Sequence, residues 1–397
     1  SQWQSTPFSF DLPEATVNIE PFRVQIPQAA IDDLKRRLHA TRWPDDGSVE
    51  GREQGTPLLR AQELVNEWRT NYDWRAFEGK INAFPQFRTL IDGLGIHFIH
   101  VRSKHEDALP IILTHGWPGS VVEFLNTIGP LVDPETHGGR AQDAFHVVIP
   151  SLPGYGFSDK PKQTGWNWIR TARAWAVLMQ RLGYKRWVAQ GGDWGAAVTL
   201  ALAQQKPAGL VAAHVNWVLV IPDRPSADPS PEEVRIFEDL HNFATEGDGY
   251  YKQQSTRPQT LGYGLSDSPA GQAMWMYEKF HEWSQHRDDS DIFSETEMLD
   301  DISLYWFTNT AASSARFYWE NMHSTPPFSW NLGRVDLPMA ATIYPGDGSR
   351  ALKEWAQAQW PSLYYWGTAS KGGHFAAWEQ PKIFVDDLRV AFASIRE

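Results

Sequence analysis

The chain of 397 residues contains no cysteine. Disulfides, thiolate metal sites and a cysteine nucleophile are therefore excluded. A run of about 18 apolar residues, the length a membrane-spanning helix needs, is also missing. Lysine and arginine form no cluster, and acids outnumber them 48 to 36, leaving a net charge of −12. That balance argues against a nucleic-acid partner, which requires clustered cations. Neither the zinc pattern His-Glu-x-x-His nor the dinucleotide pattern Gly-x-Gly-x-x-Gly occurs, so no metal and no organic cofactor is expected. There is no internal repeat and no low-complexity tract. Residues 1–10 are polar and lack the charged-then-apolar order of a secretion signal. A soluble protein without a membrane span is the expectation. The cytoplasm is its expected place, although a secreted protein can also lack cysteine.

What the sequence has is apolar material: 42% of residues are hydrophobic and 13% aromatic, enough for a large core. Residues 22–45 read as a short strand followed by a helix with Ile31, Leu34 and Leu38 on one face, stopped at Trp43-Pro44-Asp45-Asp46-Gly47. A second amphipathic helix is read over residues 58–72. Alternating segments on either side of Asp92-Gly93 predict a hairpin. Short apolar runs then recur at 110–114, 145–150, 187–190 and 210–215, separated by helical stretches. This alternation predicts a mainly parallel sheet covered by helices. Residues 222–327 read as helical and aromatic without strand runs. Strand character returns at 339–344 and 363–366, and a final helix at 381–395. The fold class is α/β, one sheet interrupted by a helical lid. The divisions are 1–86, an N-terminal segment packing on the core; 87–221, the first part of the core; 222–327, the lid; and 328–397, the second part of the core.

The sharpest motif is Gly191-Gly192-Asp193-Trp194-Gly195. It follows a strand and precedes the helix former Ala196-Ala197-Val198-Thr199-Leu200, the setting of a nucleophile elbow. The residue at the nucleophile position is aspartate. A carboxylate can displace at carbon to give an alkyl ester, whereas acyl transfer to it would give an anhydride. Epoxide or haloalkane substrates are favoured over esters. Taken alone, Asp193 is equally a helix N-cap in a glycine-rich turn. His374, in Gly372-Gly373-His374-Phe375, and Asp347, in Tyr344-Pro345-Gly346-Asp347, each follow a predicted strand, and ligands bind at the carboxyl ends of such strands. The order nucleophile, acid, histidine matches a hydrolase triad, although Pro345-Gly346-Asp347-Gly348 by itself is also an ordinary turn. His115-Gly116-Trp117-Pro118-Gly119 leaves the strand at 111–114. Its Trp117 N–H, with that of Trp194, can hold negative charge on an ester carbonyl oxygen of Asp193. Pro118 has no N–H to offer.

These motifs are joined by Thr41-Arg42-Trp43-Pro44-Asp45, Asn82-Ala83-Phe84-Pro85-Gln86-Phe87, Gln254-Ser255-Thr256-Arg257-Pro258-Gln259-Thr260 and Gly372-Gly373-His374-Phe375-Ala376-Ala377. Together they resemble the epoxide hydrolase family of the α/β-hydrolase fold, in its microsomal-type branch, over most of the chain. The resemblance implies an N-terminal segment wrapping over the core. It also implies two lid tyrosines that donate to the epoxide oxygen, at Tyr250, with Tyr251 as a one-residue alternative, and at Tyr318. Both positions are compatible with plain aromatic packing as well. Many members of the family carry glutamate where this chain has Asp347, so the acid is shorter and its loop must approach His374 more closely. No counterpart of the membrane anchor of the mammalian microsomal enzyme is expected, which implies a soluble enzyme.

The expected reaction is opening of an epoxide by Asp193, with Tyr250 and Tyr318 as acids, and release of a vicinal diol by water activated at His374 with Asp347 behind it. The 20 tryptophans suggest an aromatic pocket wall and an apolar or aromatic epoxide as partner. A homodimer is compatible with the sequence. The alternatives are a haloalkane dehalogenase, which needs no acid for its leaving group, and a non-catalytic binding protein on the same fold, which should have lost a triad member.

Overall fold

The computed structural model describes residues 18–397, so the polar stretch at residues 1–10 lies outside the described residues. The strands are β1 (Ile19–Phe22), β2 (Gln86–Ile91), β3 (Leu94–Val101), β4 (Leu109–Thr114), β5 (Phe145–Pro150), β6 (Trp187–Gly191), β7 (Leu210–Val215), β8 (Met339–Ile343) and β9 (Leu363–Thr368). They form one sheet in the order β1-β2-β3-β5-β4-β6-β7-β8-β9. The β1, β2 and β3 pairings are antiparallel, and from β5 to β9 the strands run parallel. The hairpin falls where expected: Asp92 and Gly93 connect β2 to β3 with φ of 52° and 79°. A two-residue turn with both φ values positive matches the twist of the flanking strands. β4, β5 and β6 are buried at every position. Helices cover both faces of the parallel part, which is why these strands read as apolar runs without alternation.

The arrangement is the mainly parallel, helix-covered sheet expected from the alternation, and the α/β-hydrolase fold that the resemblance implies. The first strand differs from the reading: it covers Ile19–Phe22, and the residues after Phe22 lead into the helix Gln28–His39. That helix buries Ile31, Leu34 and Leu38, as its spacing requires. The second helix ends at Thr70, just short of residue 72. A third helix, Trp74–Asn82, was not anticipated; its N-cap is Asp73, and it buries Trp74, Phe77 and Ile81. These three helices lie against the helices of the interruption, Pro269–Glu282 and Glu295–Thr308. The Trp68 indole donates to Ser303 at 2.9 Å, and Arg60 pairs with Asp291 at 2.9 Å. Burying side chains of this size contributes about 2–3 kcal/mol each, so the segment braces these helices as well as the sheet.

Between β7 and β8 the chain leaves the sheet for six helices and a π-helical turn, from Pro231 to Met322. Departure and return run side by side. Val220 bridges Asn331, Ile221 donates to the Trp330 carbonyl and Leu332 to the Leu219 carbonyl, both at 3.0 Å. The last helix covers Pro381–Ala391.

Candidate active site

β6 ends at Gly191, and the helix Trp194–Gln205 starts three residues later. The turn between them places Asp193 at φ 52°, ψ −134°, a conformation an L side chain rarely adopts. Two glycines make it possible by close approach. A Cβ on Gly191 would stand 2.1 Å from the Gly195 carbonyl oxygen, and one on Gly195 would stand 1.9 Å from that of Thr114. The helix start is thereby pressed onto the end of β4, next to the 115–119 loop. As a result the amides of Trp194 and Trp117 converge on one atom, donating to Asp193 Oδ2 at 2.7 and 2.9 Å. Asp193 is thus the cap of its helix, as the plain reading had it, and its carboxylate is also gripped by the second loop.

The other oxygen, Asp193 Oδ1, faces His374 Nε2 at 2.9 Å. Behind the ring, His374 Nδ1 lies 3.7 Å from Asp347 Oδ1. This is ion-pair range but longer than a hydrogen bond, so the shorter acid is not fully compensated by its loop. Asp347 is 5% exposed and accepts the Ser349 N–H at 3.0 Å. Burial disfavours a charged ring at His374, but the hydrogen bond to Asp193 and the charges of Asp193 and Asp347 outweigh it, holding the imidazole protonated well above the ordinary histidine range. His115 behaves oppositely: burial pushes it down to about 4. Its Nε2 accepts the Leu152 N–H at 3.1 Å, and Nδ1 donates to the Gly116 carbonyl at 3.0 Å. It is a neutral brace for the loop.

Asp193, His374 and Asp347 open onto a cavity of about 360 Å³, also lined by Trp217, Tyr250, Tyr251, Trp283, Tyr318 and Trp330. Tyr250 comes from the helix Gly249–Thr256 and Tyr318 from Ala311–Met322. Tyr250 lies parallel to Trp117, with ring centres 5.1 Å apart, and Tyr318 is edge-on to both, at 5.9 Å from Trp117 and 6.0 Å from Tyr250. Burial first, then nearby acidic groups including Asp193, raise both phenols well above the usual tyrosine range, so both carry their protons at neutral pH. The Tyr251 hydroxyl instead donates to Met322 Sδ at 3.3 Å. Among the described residues, no cluster of candidate metal ligands occurs and no helix is long and apolar enough to cross a membrane.

Residues 19–124 match the family profile described as "Epoxide hydrolase N terminus", and residues 110–233 match the alpha/beta hydrolase fold. A protein of Stigmatella aurantiaca provisionally described as an epoxide hydrolase is 57% identical over 95% of this chain and 86% of its own length. Epoxide hydrolase 1 of Sus scrofa is 33% identical over 94% of this chain and 88% of its own. The chain belongs to the epoxide hydrolase family. In three dimensions this epoxide hydrolase is similar to that of Aspergillus niger, with a TM-score of 0.84 and 31% identity over 95% of this chain and 97% of the other. It is similar as well to the juvenile hormone epoxide hydrolase of Bombyx mori, with a TM-score of 0.86 and 29% identity over 96% and 95% of the two chains.

Three residues of the epoxide hydrolase's site carry no signal in the sequence. Glu123 stands under the 115–119 loop, facing the Gly116 N–H at 3.4 Å; burial and the nearby Asp301 and Asp193 raise its carboxyl well above the usual range. Glu379 accepts the N–H groups of Gln285, Gly373 and Phe375 at 2.8, 3.0 and 2.9 Å, which fixes the loop bearing His374. The Trp283 carbonyl accepts the His374 N–H at 2.8 Å.

The His374–Asp193 pair carries a pH signature. A raised histidine pKa stabilises the fold fully below the unfolded value near ~6.5, and that stabilisation is lost as pH rises through the folded value. In Asp193→Asn the imidazole should titrate lower by NMR, and stability should decline less toward alkaline pH than in the wild type. An unmoved imidazole titration would show that Asp193 is not its main partner.

Proposed function

We propose that this enzyme converts an apolar or aromatic epoxide and water into a vicinal diol through an ester on Asp193, with residues 222–327 acting as the lid. The observation that carries the proposal is the divided carboxylate of a residue that lines the cavity: Oδ2 is held by two backbone amides, while Oδ1 meets only His374 among the described residues. Oδ1 is the oxygen left to attack an epoxide carbon. As it does so, the carbon–oxygen bond of the ring breaks and its electron pair stays on the ring oxygen, which takes a proton from Tyr250 or Tyr318. The negative charge has then moved from Asp193 to a phenolate. With Asp193 esterified, His374 loses its strongest charge partner, and its extra proton passes back to the phenolate. Neutral His374 now accepts a proton from water, which attacks the ester carbonyl. Oδ2 becomes the oxyanion, already seated between the Trp117 and Trp194 amides. On collapse the bond from the carbonyl carbon to the substrate oxygen breaks, the leaving alkoxide takes the remaining proton of the added water, and the diol departs from a restored aspartate–imidazolium pair. Asp347 holds the ring and stabilises its charge without taking the proton.

The wall of Trp217, Trp283 and Trp330 suits an apolar substrate body. The ester route has a direct test. In one turnover in oxygen-18 water with excess enzyme, the heavy oxygen should appear in the peptide containing Asp193, and the diol should be unlabelled. Label in the diol on that first turnover would mean that water attacks the epoxide itself.

A further inference from the structure

Lys279 is 4% exposed, an unusual place for an ammonium ion. It lies on the lid helix Pro269–Glu282. Its Nζ stands 4.9 Å from the centre of the Tyr250 ring and 5.7 Å from that of Trp283. Two carboxylates balance it, Glu278 at 2.7 Å and Glu282 at 3.4 Å, and both are much more exposed than the lysine. Taking a cation this far from water is costly even when it is paired. For the fold alone, an apolar side chain against the two aromatic rings would serve as well. What the ammonium adds is charge beside Tyr250, and the catalytic cycle above needs charge there at one step.

We infer that Lys279 is a positioning residue for the alkylation step: its ammonium, held over the Tyr250 ring, stabilises the negative charge the phenol acquires when it gives its proton to the opening epoxide. This rests on the reading of Tyr250 as an acid. A cation over an aromatic ring is attracted by the electron density of the ring face, and a phenolate offers more of it than a phenol. The interaction is therefore stronger in the transition state than in the resting enzyme, which is the condition for lowering a barrier. Lys279 supplies the Tyr250 ring with a charged contact, whereas Trp117 and Tyr318 meet it as uncharged rings. Hydrolysis of the ester occurs at Asp193 and His374 and makes no demand on Tyr250 beyond its reprotonation.

Single-turnover rapid quench with styrene oxide, read by intact mass, separates formation of the ester from its decay. Lys279→Met should slow formation about tenfold and leave decay unchanged, and Lys279→Arg should restore most of the loss. In a Tyr250→Phe background, Lys279→Met should cost nothing further. An equal loss in that background, or equal slowing of both steps, would overturn the inference in favour of a packing role. If Tyr250→Phe forms ester slowly but Lys279→Met forms it at the wild-type rate, the inference falls alone; if Tyr250→Phe is itself silent, the lid-acid reading falls and takes this one with it. Should Lys279→Met fail to fold, Glu282→Gln leaves the ammonium less neutralised and should speed ester formation severalfold; an unchanged rate would overturn the inference.

Discussion

His374→Gln should be alkylated by its substrate and then stall. Asp193 keeps its two amide donors in this variant, so ester formation survives, but no base remains to activate water. Turnover should fall by on the order of 10⁴-fold. Intact mass should show nearly stoichiometric protein carrying one added substrate mass. Asp193→Ala is the companion: it should show neither turnover nor adduct, because the attacking oxygen is gone. The contrast matters more than either loss. Both side chains meet at 2.9 Å, and a merely structural pair would fail in the same way from either side. An unmodified His374→Gln protein after prolonged incubation with a substrate of the wild type would remove His374 from the hydrolytic half of the cycle.

The second large effect belongs to the two phenols. Tyr250→Phe and Tyr318→Phe should each slow ester formation by roughly 10²-fold, and the double variant by 10⁴-fold or more, because one positioned acid is worth ~10²–10⁴. Without either, the opening ring would leave an alkoxide in a poorly hydrated cavity. Decay of ester formed before the measurement should be little changed. Phenylalanine keeps the stacking on Trp117 and the edge contacts between the two rings, so melting temperatures should shift little. Tyr251→Phe is the control. Its hydroxyl is directed to Met322 Sδ, and its removal should be nearly silent. If Tyr251→Phe proved the damaging change, the acid would lie one residue later.

Much of this was legible in the sequence where the chemistry is local. The hairpin at Asp92-Gly93 follows from two adjacent residues that tolerate positive φ. The strands β4 to β7 follow from apolar runs, and Asp193 from the glycines that let β4 and its own helix crowd together. The misses have a common cause. Nothing near Glu123 or Glu379 in the chain marks them, because each reaches the candidate site through a partner brought close by the fold: Gly116 for the first and the backbone about His374 for the second. The Trp74–Asn82 helix was missed because its apolar residues are few and its burial is partly against the helix Glu295–Thr308, more than two hundred residues away. The Asp347 distance also lay beyond reach of the sequence. A glutamate-to-aspartate difference predicts a shorter arm, and whether the loop closes the gap depends on packing around it.

The paired stem at Val220 and Asn331 has a consequence for how such enzymes diversify. The excursion between β7 and β8 leaves and re-enters through neighbouring points, so the parent sheet sees almost no difference in span whatever is carried beyond the stem. The two phenols ride on that excursion, while Asp193, His374 and Asp347 do not. An exchange of the whole excursion between relatives, cut at the stem, would therefore transplant Tyr250, Tyr318 and much of the cavity wall as a cassette, with Asp193, His374 and Asp347 left in their original frame. Recombination at these two junctions offers lineages, and engineers, a way to change the wall of the cavity without rebuilding the sheet that carries Asp193, His374 and Asp347.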